Sequence, residues 1–119
     1  MSTREVGDRA EAFARDLLER EGYRIAETNV RTPMWELDIV AWEGEVLCFV
    51  EVRSTATLDQ GGPFATVTHD KQRRITRAAK AYLMMHEEIR DVEVRFDVVG
   101  IWGNPFEHDL IRGAFVCAS

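Results

Sequence analysis

The sequence predicts a mixed α/β domain of order αβββαβ, a central sheet flanked by helices, with a further short strand at the end. Three observations carry this expectation. Apolar residues recur at helical spacing over residues 3–21 and again after residue 68. Alternating or continuously apolar runs, as strands require, fill much of 23–53 and 92–102. Glycine and proline mark the joints, at Gly22, Pro33, Gly44, Gly61-Gly62-Pro63 and Gly103-Asn104-Pro105. The pattern is neither a continuous βαβ repeat nor an all-β one. With 119 residues, no repeat and no linker, the chain reads as one domain, residues 1–119, with a real core.

The first helix is expected from Thr3 to Glu21, with Gly22 as its stop. Val6, Ala10, Phe13, Ala14, Leu17 and Leu18 form its apolar stripe. Glu11 lies at the stripe's edge, where it either reaches over the rim of the sheet or pairs with Arg15 at the surface. Tyr23–Val30 reads as a strand, followed by an irregular stretch, Arg31-Thr32-Pro33-Met34. Trp35–Ala41 alternates polar and apolar residues, whereas Val46–Arg53 is apolar almost to its end, as a fully buried strand would be.

A two-residue loop at Glu43-Gly44 would join these strands as a hairpin, pairing Trp42 with Glu45, Glu36 with Glu51 and Asp38 with Phe49. Glu36, Asp38, Glu51 and Arg53 then share one face near the strand ends. Like charges so placed destabilise a sheet unless something offsets them, and a divalent cation is the candidate. A three-residue loop would put Asp38 and Glu51 on opposite faces.

Residues 54–67 are expected to form a mobile loop. A second helix begins at Thr68, a good N-cap, with Asp70 in its first turn and Ile75, Ala78, Ala79, Tyr82 and Leu83 buried. Lys71 leads that buried side, either addressing an anion or laying its stem along the core edge. Arg73, Arg77 and Lys80 fall on the opposite side. Val92–Trp102 is an alternating strand with Val92, Val94, Phe96 and Val98 on one side, and His108–Phe115 adds the last short strand. Asp97, within a strand, reads as structural, with lining of the site as the alternative.

A net charge of −6 argues against a protein that simply coats nucleic acid. The charge is uneven, however. Lys71, Arg73, Arg74, Arg77 and Lys80 give +5 over ten residues, a stripe that suits either a phosphate-facing side or a solvated helix face. No run is long enough to cross a bilayer and no apolar signal segment follows the first five residues, so the expected location is the cytoplasm. Cys48 and Cys117 form no CxxC pair, and Cys48 reads as a buried free thiol. His69, His86 and His108 lack metal-ligand spacing.

Asp38, twelve intervening residues, and Glu51-Val52-Arg53 on adjacent strands look like the active-site signature of the PD-(D/E)xK nuclease superfamily. The surrounding segments are more specific. Gly7-Asp8-Arg9-Ala10-Glu11, Glu21-Gly22-Tyr23-Arg24-Ile25, Asn29-Val30-Arg31 and Glu36-Leu37-Asp38-Ile39-Val40-Ala41 follow in order. So do Phe49-Val50-Glu51-Val52, Lys71-Gln72-Arg73-Arg74 and Arg95-Phe96-Asp97-Val98-Val99. Over about Gly7 to Phe115 they resemble the small, functionally uncharacterised bacterial YraN family, which is similar to Holliday junction resolvases.

The resemblance implies a restriction-endonuclease-like core and a metal-dependent endonuclease acting on DNA, branched DNA included. Glu11 matches the helix-borne acid of such nucleases, Asp38 the first strand acid and Glu51 the acid of the E-x-K element. Lys71 and Gln72 match the motif opening the next helix. Asp38 and Glu51, with Glu11, would hold Mg²⁺ or Mn²⁺, an ion that takes oxygen ligands and keeps water and phosphate in its shell. Lys71, Gln72, Arg73, Arg74, Arg77 and Lys80 would face nucleic acid. Two residues depart from the pattern. Arg53 stands for the motif lysine; it can clamp a phosphate but cannot act as a general base. Trp35 stands for the usual glycine, where its ring either stacks on an exposed base or packs in the core.

Two rival readings accompany the enzyme. One is a catalytically degenerate module that binds nucleic acid or a protein partner through salt-sensitive contacts. The other makes Glu51–Arg53 and Glu11–Arg15 ordinary ion pairs on a scaffold. An enzyme cutting both arms of a symmetric junction would also need two sites, hence a two-fold dimer.

Overall fold

A computed structural model describes residues 2–117. Its elements are α1 (Thr3–Arg20), β1 (Arg24–Arg31), β2 (Glu36–Glu43), β3 (Val46–Thr55), α2 (His69–Met85), β4 (Val94–Trp102) and β5 (Glu107–Phe115). One sheet runs β1-β2-β3-β4-β5 in space; β3 and β4 are parallel, joined through α2, and the other neighbours are antiparallel. The expected order αβββαβ with a final strand is the observed one, compatible with a restriction-endonuclease-like core.

Both helices start on side-chain caps. Ser2 Oγ accepts the Glu5 N–H at 3.2 Å, and Thr68 Oγ1 accepts the Lys71 N–H at 3.2 Å. After α1 the chain turns at Gly22, whose φ of +97° suits only glycine comfortably. Ala10, Ala14, Leu17 and Leu18 of α1 pack with Ile39, Ala41, Cys48, Val50, Val99 and Ile101 on one side of the sheet. Ile75, Ala78, Ala79 and Tyr82 of α2 pack with Val40, Leu47, Phe49 and Phe96 on the other. Covered on both faces, β3 and β4 are apolar on both. That corrects the alternation expected for β4, which starts at Val94 and buries every residue from Phe96 to Ile101.

The β2–β3 turn also differs from expectation. Glu43 pairs with Val46, so the loop is Gly44-Glu45, with φ of +59° at Gly44. Relative to the expected register, each β2 residue pairs two positions further along β3, which keeps the faces and changes the partners. Trp42 meets Leu47, and the paired ladder ends at Ile39 and Val50.

Residues 54–67 are not a free loop. Strand β3 continues to Thr55, and the segment then forms two short 3-10 turns, Asp59–Gly61 and Pro63–Thr66. The second is docked on the sheet over Gly100, where a Cβ would come within 2.6–2.9 Å of Phe64 and Pro63 ring atoms. Gly100→Ala is therefore expected to push this turn off the sheet and destabilise the fold by about 1–3 kcal/mol, read from urea unfolding. An unchanged midpoint would mean that the turn yields without cost.

On the α1 side, Asp97 is fully buried in β4. Its carboxylate accepts from Tyr23 Oη (2.6 Å), Arg95 Nε and Nη2 (2.8 and 2.9 Å) and the Gly113 N–H (2.9 Å). Burial alone would raise its pKa, but these donors outweigh it and hold the carboxyl below its usual range. Asp97 is structural. Cys48 is buried as expected, and burial pushes its thiol up to about 12.

Candidate active site

The site forms where β2 and β3 stop pairing. Beyond Ile39–Val50, the Val52 N–H donates to Asp38 Oδ2 at 2.8 Å instead of to a strand carbonyl. The alternation of β2 breaks at the same place, since Leu37 packs with the α2-side core while Ile39 packs with the α1 side. A carboxylate thus substitutes for a ladder partner and is anchored by backbone.

Glu51, buried in β3, points to the α2 side with its carboxyl within hydrogen-bond reach of Asp38. Burial first, and then the charge of Asp38, push the Glu51 pKa up to about 8 against the pull of Lys71 and Arg53. Asp38 is raised as well, chiefly by burial, although the Val52 N–H and Glu51 act in the other direction. Two adjacent carboxyls, one buried and one half-buried, do not both ionise easily, and both are raised above their ordinary range.

Two cations attend one oxygen of this pair. Lys71 Nζ lies 3.7 Å and Arg53 Nη1 3.6 Å from Glu51 Oε1. Lys71 arrives from the first turn of α2. Arg53 is steadied from the docked turn, its Nε donating to Thr66 Oγ1 at 2.8 Å. Sequence reasoning missed Thr66, because its role depends on a long-range fold-back that no local pattern announces.

The other candidates separate. Glu36 is exposed and pairs with Arg31 on β1 (3.7 Å), whereas the expected partner was Glu51. Glu11 accepts a hydrogen bond from Asn29 Nδ2 of β1 and projects from α1, whose core lies on the opposite side of the sheet from Lys71. Among the described residues, no three His, Cys, Asp or Glu side chains gather closely enough to hold a metal ion. The donor set that is assembled, the carboxylates of Asp38 and Glu51, offers only oxygen, the donor that Mg²⁺ and Mn²⁺ take.

Along α2 the basic stripe splits differently from expectation. Lys71, Arg74 and Arg77, three residues apart, line a groove of about 700 Å³ facing Arg31–Glu36, so Arg77 joins Lys71 rather than opposing it. Arg73 and Arg74 both pair with Asp70 at the surface (3.0 and 2.8 Å), and Lys80 is exposed. Gln72 donates to the Val67 carbonyl at 3.2 Å, a tie to the preceding loop. Trp35 packs partly against the α2-side core and also lines the groove.

Comparison with known proteins agrees with this picture of a small family domain. The model of an uncharacterised protein family, UPF0102, matches residues 10–101. A UPF0102 protein of Desulforapulum autotrophicum is 44% identical over 112 residues, covering 92% of this chain and 92% of its own. One of Moorella thermoacetica is 40% identical over 119 residues, covering 97% and 98%. A third, of Chlorobium limicola, is 39% identical, covering 90% and 82%. This chain belongs to the UPF0102 family, the family that its sequence motifs resemble.

Proposed function

We propose that this protein is a metal-dependent endonuclease that hydrolyses phosphodiester bonds in DNA. The observation that carries the reading is the pairing of half-buried Asp38 with buried Glu51, flanked by Lys71 and Arg53, with Lys71 shared between that pair and a cationic groove. Asp38 and Glu51 would hold the ion, which when bound neutralises phosphate charge and makes a coordinated water more acidic. Lys71 then turns from Glu51 to a phosphate oxygen. Arg53, fixed by Thr66, stabilises negative charge developing on the same phosphate, a role that needs no proton transfer. On a symmetric branched substrate the active form is a two-fold dimer, one site to each strand. The reading places the protein with the chromosome in the cytoplasm; no helix among the described residues is long and apolar enough to cross a membrane.

Calorimetric titration of Mn²⁺ into metal-free protein tests this reading. Binding is expected in the wild type and none in folded Asp38→Ala, which loses one of two carboxylate ligands and the anchor on Val52. Equal heats in both would remove the metal site and with it the enzyme. A second reading draws on Arg53, which occupies the motif lysine position and is already engaged by Thr66 and Glu51. It makes the protein a nucleic-acid-binding module without catalysis. Its mark is binding that falls with salt, depends on Arg74 and Arg77, and ignores metal.

A further inference from the structure

The groove beside the carboxyl pair has a composition that phosphate contact alone does not require. Its lining includes Arg31, Lys71, Arg74 and Arg77, on a chain of net charge −6; Glu36, the one carboxylate in that lining, pairs with Arg31, and Arg74 pairs with Asp70 (2.8 Å) at the surface. The same lining includes Trp35 and Met34, the latter 89% exposed. A continuous duplex presents phosphates outward and hides its base faces, so a duplex-tracking surface calls for cations without an aromatic wall. A single strand offers both phosphates and unstacked bases, and aromatic side chains among cations are what it needs.

The platform is also built rather than incidental. Thr32 Oγ1 accepts the N–H groups of Met34 (3.2 Å) and Trp35 (3.1 Å), and the Thr32 N–H donates to the Trp35 carbonyl at 2.9 Å. Trp35 is further seated against the α2-side core. Its backbone is thereby fixed, and with Arg74 and Arg77 it lines a groove whose volume, about 700 Å³, suits a nucleotide-sized ligand.

We infer that this groove binds single-stranded DNA, with an unpaired base on Trp35 and Met34 and the adjoining phosphates on Arg74 and Arg77. The choice of DNA rests on the nuclease reading. The substrate class is then DNA with a single-stranded portion next to the bond that is cut, because Lys71 belongs both to the groove and to the carboxyl pair.

The test is run in EDTA, so that it does not depend on the metal site. A fluorescein-labelled oligothymidylate of about 12 nucleotides and a blunt duplex of equal length are titrated by anisotropy. The wild type is expected to bind the single strand more tightly. Trp35→Leu, which keeps apolar volume but not stacking, should weaken single-strand binding by roughly 5- to 100-fold and leave the duplex unchanged. Trp35→Phe should restore most of the loss. Arg77→Ala, at an exposed position, should weaken both ligands and lower the salt slope by about one. Equal affinity of the wild type for both ligands, or a Trp35→Leu loss that is absent or the same for both, overturns the assignment. Quenching of Trp35 emission by the oligothymidylate in Trp42→Phe, Trp102→Phe protein gives a readout with Trp35 intact, and no quenching at saturation also overturns it. Trp35-dependent binding without Mn²⁺ binding would sink the nuclease reading alone. Mn²⁺ binding without Trp35 dependence would sink the groove alone.

Discussion

Asp97→Ala is expected to destabilise the protein by about 3–5 kcal/mol, the cost of removing one partner from a buried charged network. Four donor contacts converge on that fully buried carboxylate, from Tyr23, Arg95 and Gly113. Arg95 would keep Glu43 (2.6 Å) but lose its buried counter-charge. Against a typical total of about 5–15 kcal/mol, such a loss lowers the melting temperature by roughly 10–20 °C. Tyr23→Phe, which deletes one donor and leaves the carboxylate bonded to the others, should cost only about 1 kcal/mol. Urea unfolding of the three proteins decides the matter, and an Asp97→Ala midpoint near the wild type would show that Arg95 and Tyr23 find other acceptors.

Glu51→Gln is expected to act in the opposite direction, and in a pH-dependent way. The folded-state pKa of Glu51 is raised to about 8 from 4.5. Its contribution to stability is thus fully present below about pH 4.5 and is lost as pH rises toward 8. Asp38, also raised, adds to the same slope. Metal-free wild type should therefore weaken across this window, while glutamine has no proton to lose. In EDTA near pH 8 the variant should be more stable by roughly 2–3 kcal/mol, and near pH 5 the two should nearly coincide. A constant difference across the window would show that Glu51 is ionised throughout. On the metal-dependent reading proposed above, a divalent ion would displace the same proton, and the same substitution should abolish any metal-induced gain in stability.

Local chemistry made much of the fold legible. The α1 stripe, the Thr68 cap and the apolar run of β3 are decided by periodicity and capping within a few residues, and the structure places them as the sequence suggests. The hairpin register was harder, because Glu43-Gly44 and Gly44-Glu45 are both two-residue loops. The turn that places glycine first, with positive φ at that residue alone, is the one adopted. Even so, Asp38 and Glu51 stay on one face, since both registers share the same parity. Contacts distant in sequence were not legible. Phe64 settling over Gly100, Thr66 holding Arg53 and Asn29 engaging Glu11 each need the assembled sheet. The division of the α2 cations followed from where residues 31–36 lie, which an isolated helix cannot reveal.

The position of β3, third of five strands and bonded on both sides, bears on how the site keeps time with the rest of the molecule. Strands in the middle of a sheet open only when the whole domain does, whereas edges and short turns open by local fluctuation. Glu51 and the amide that anchors Asp38 lie just past the last β2–β3 pair, yet both remain paired with β4, at Val98 and Val99. The carboxyl pair is consequently tied to the slow unit through β4, and on its other side through the Asp38–Val52 bond alone. The wall formed by residues 31–36 hangs from the edge strand, so its order depends on the Thr32 hydrogen bonds and the seating of Trp35 rather than on the centre of the sheet.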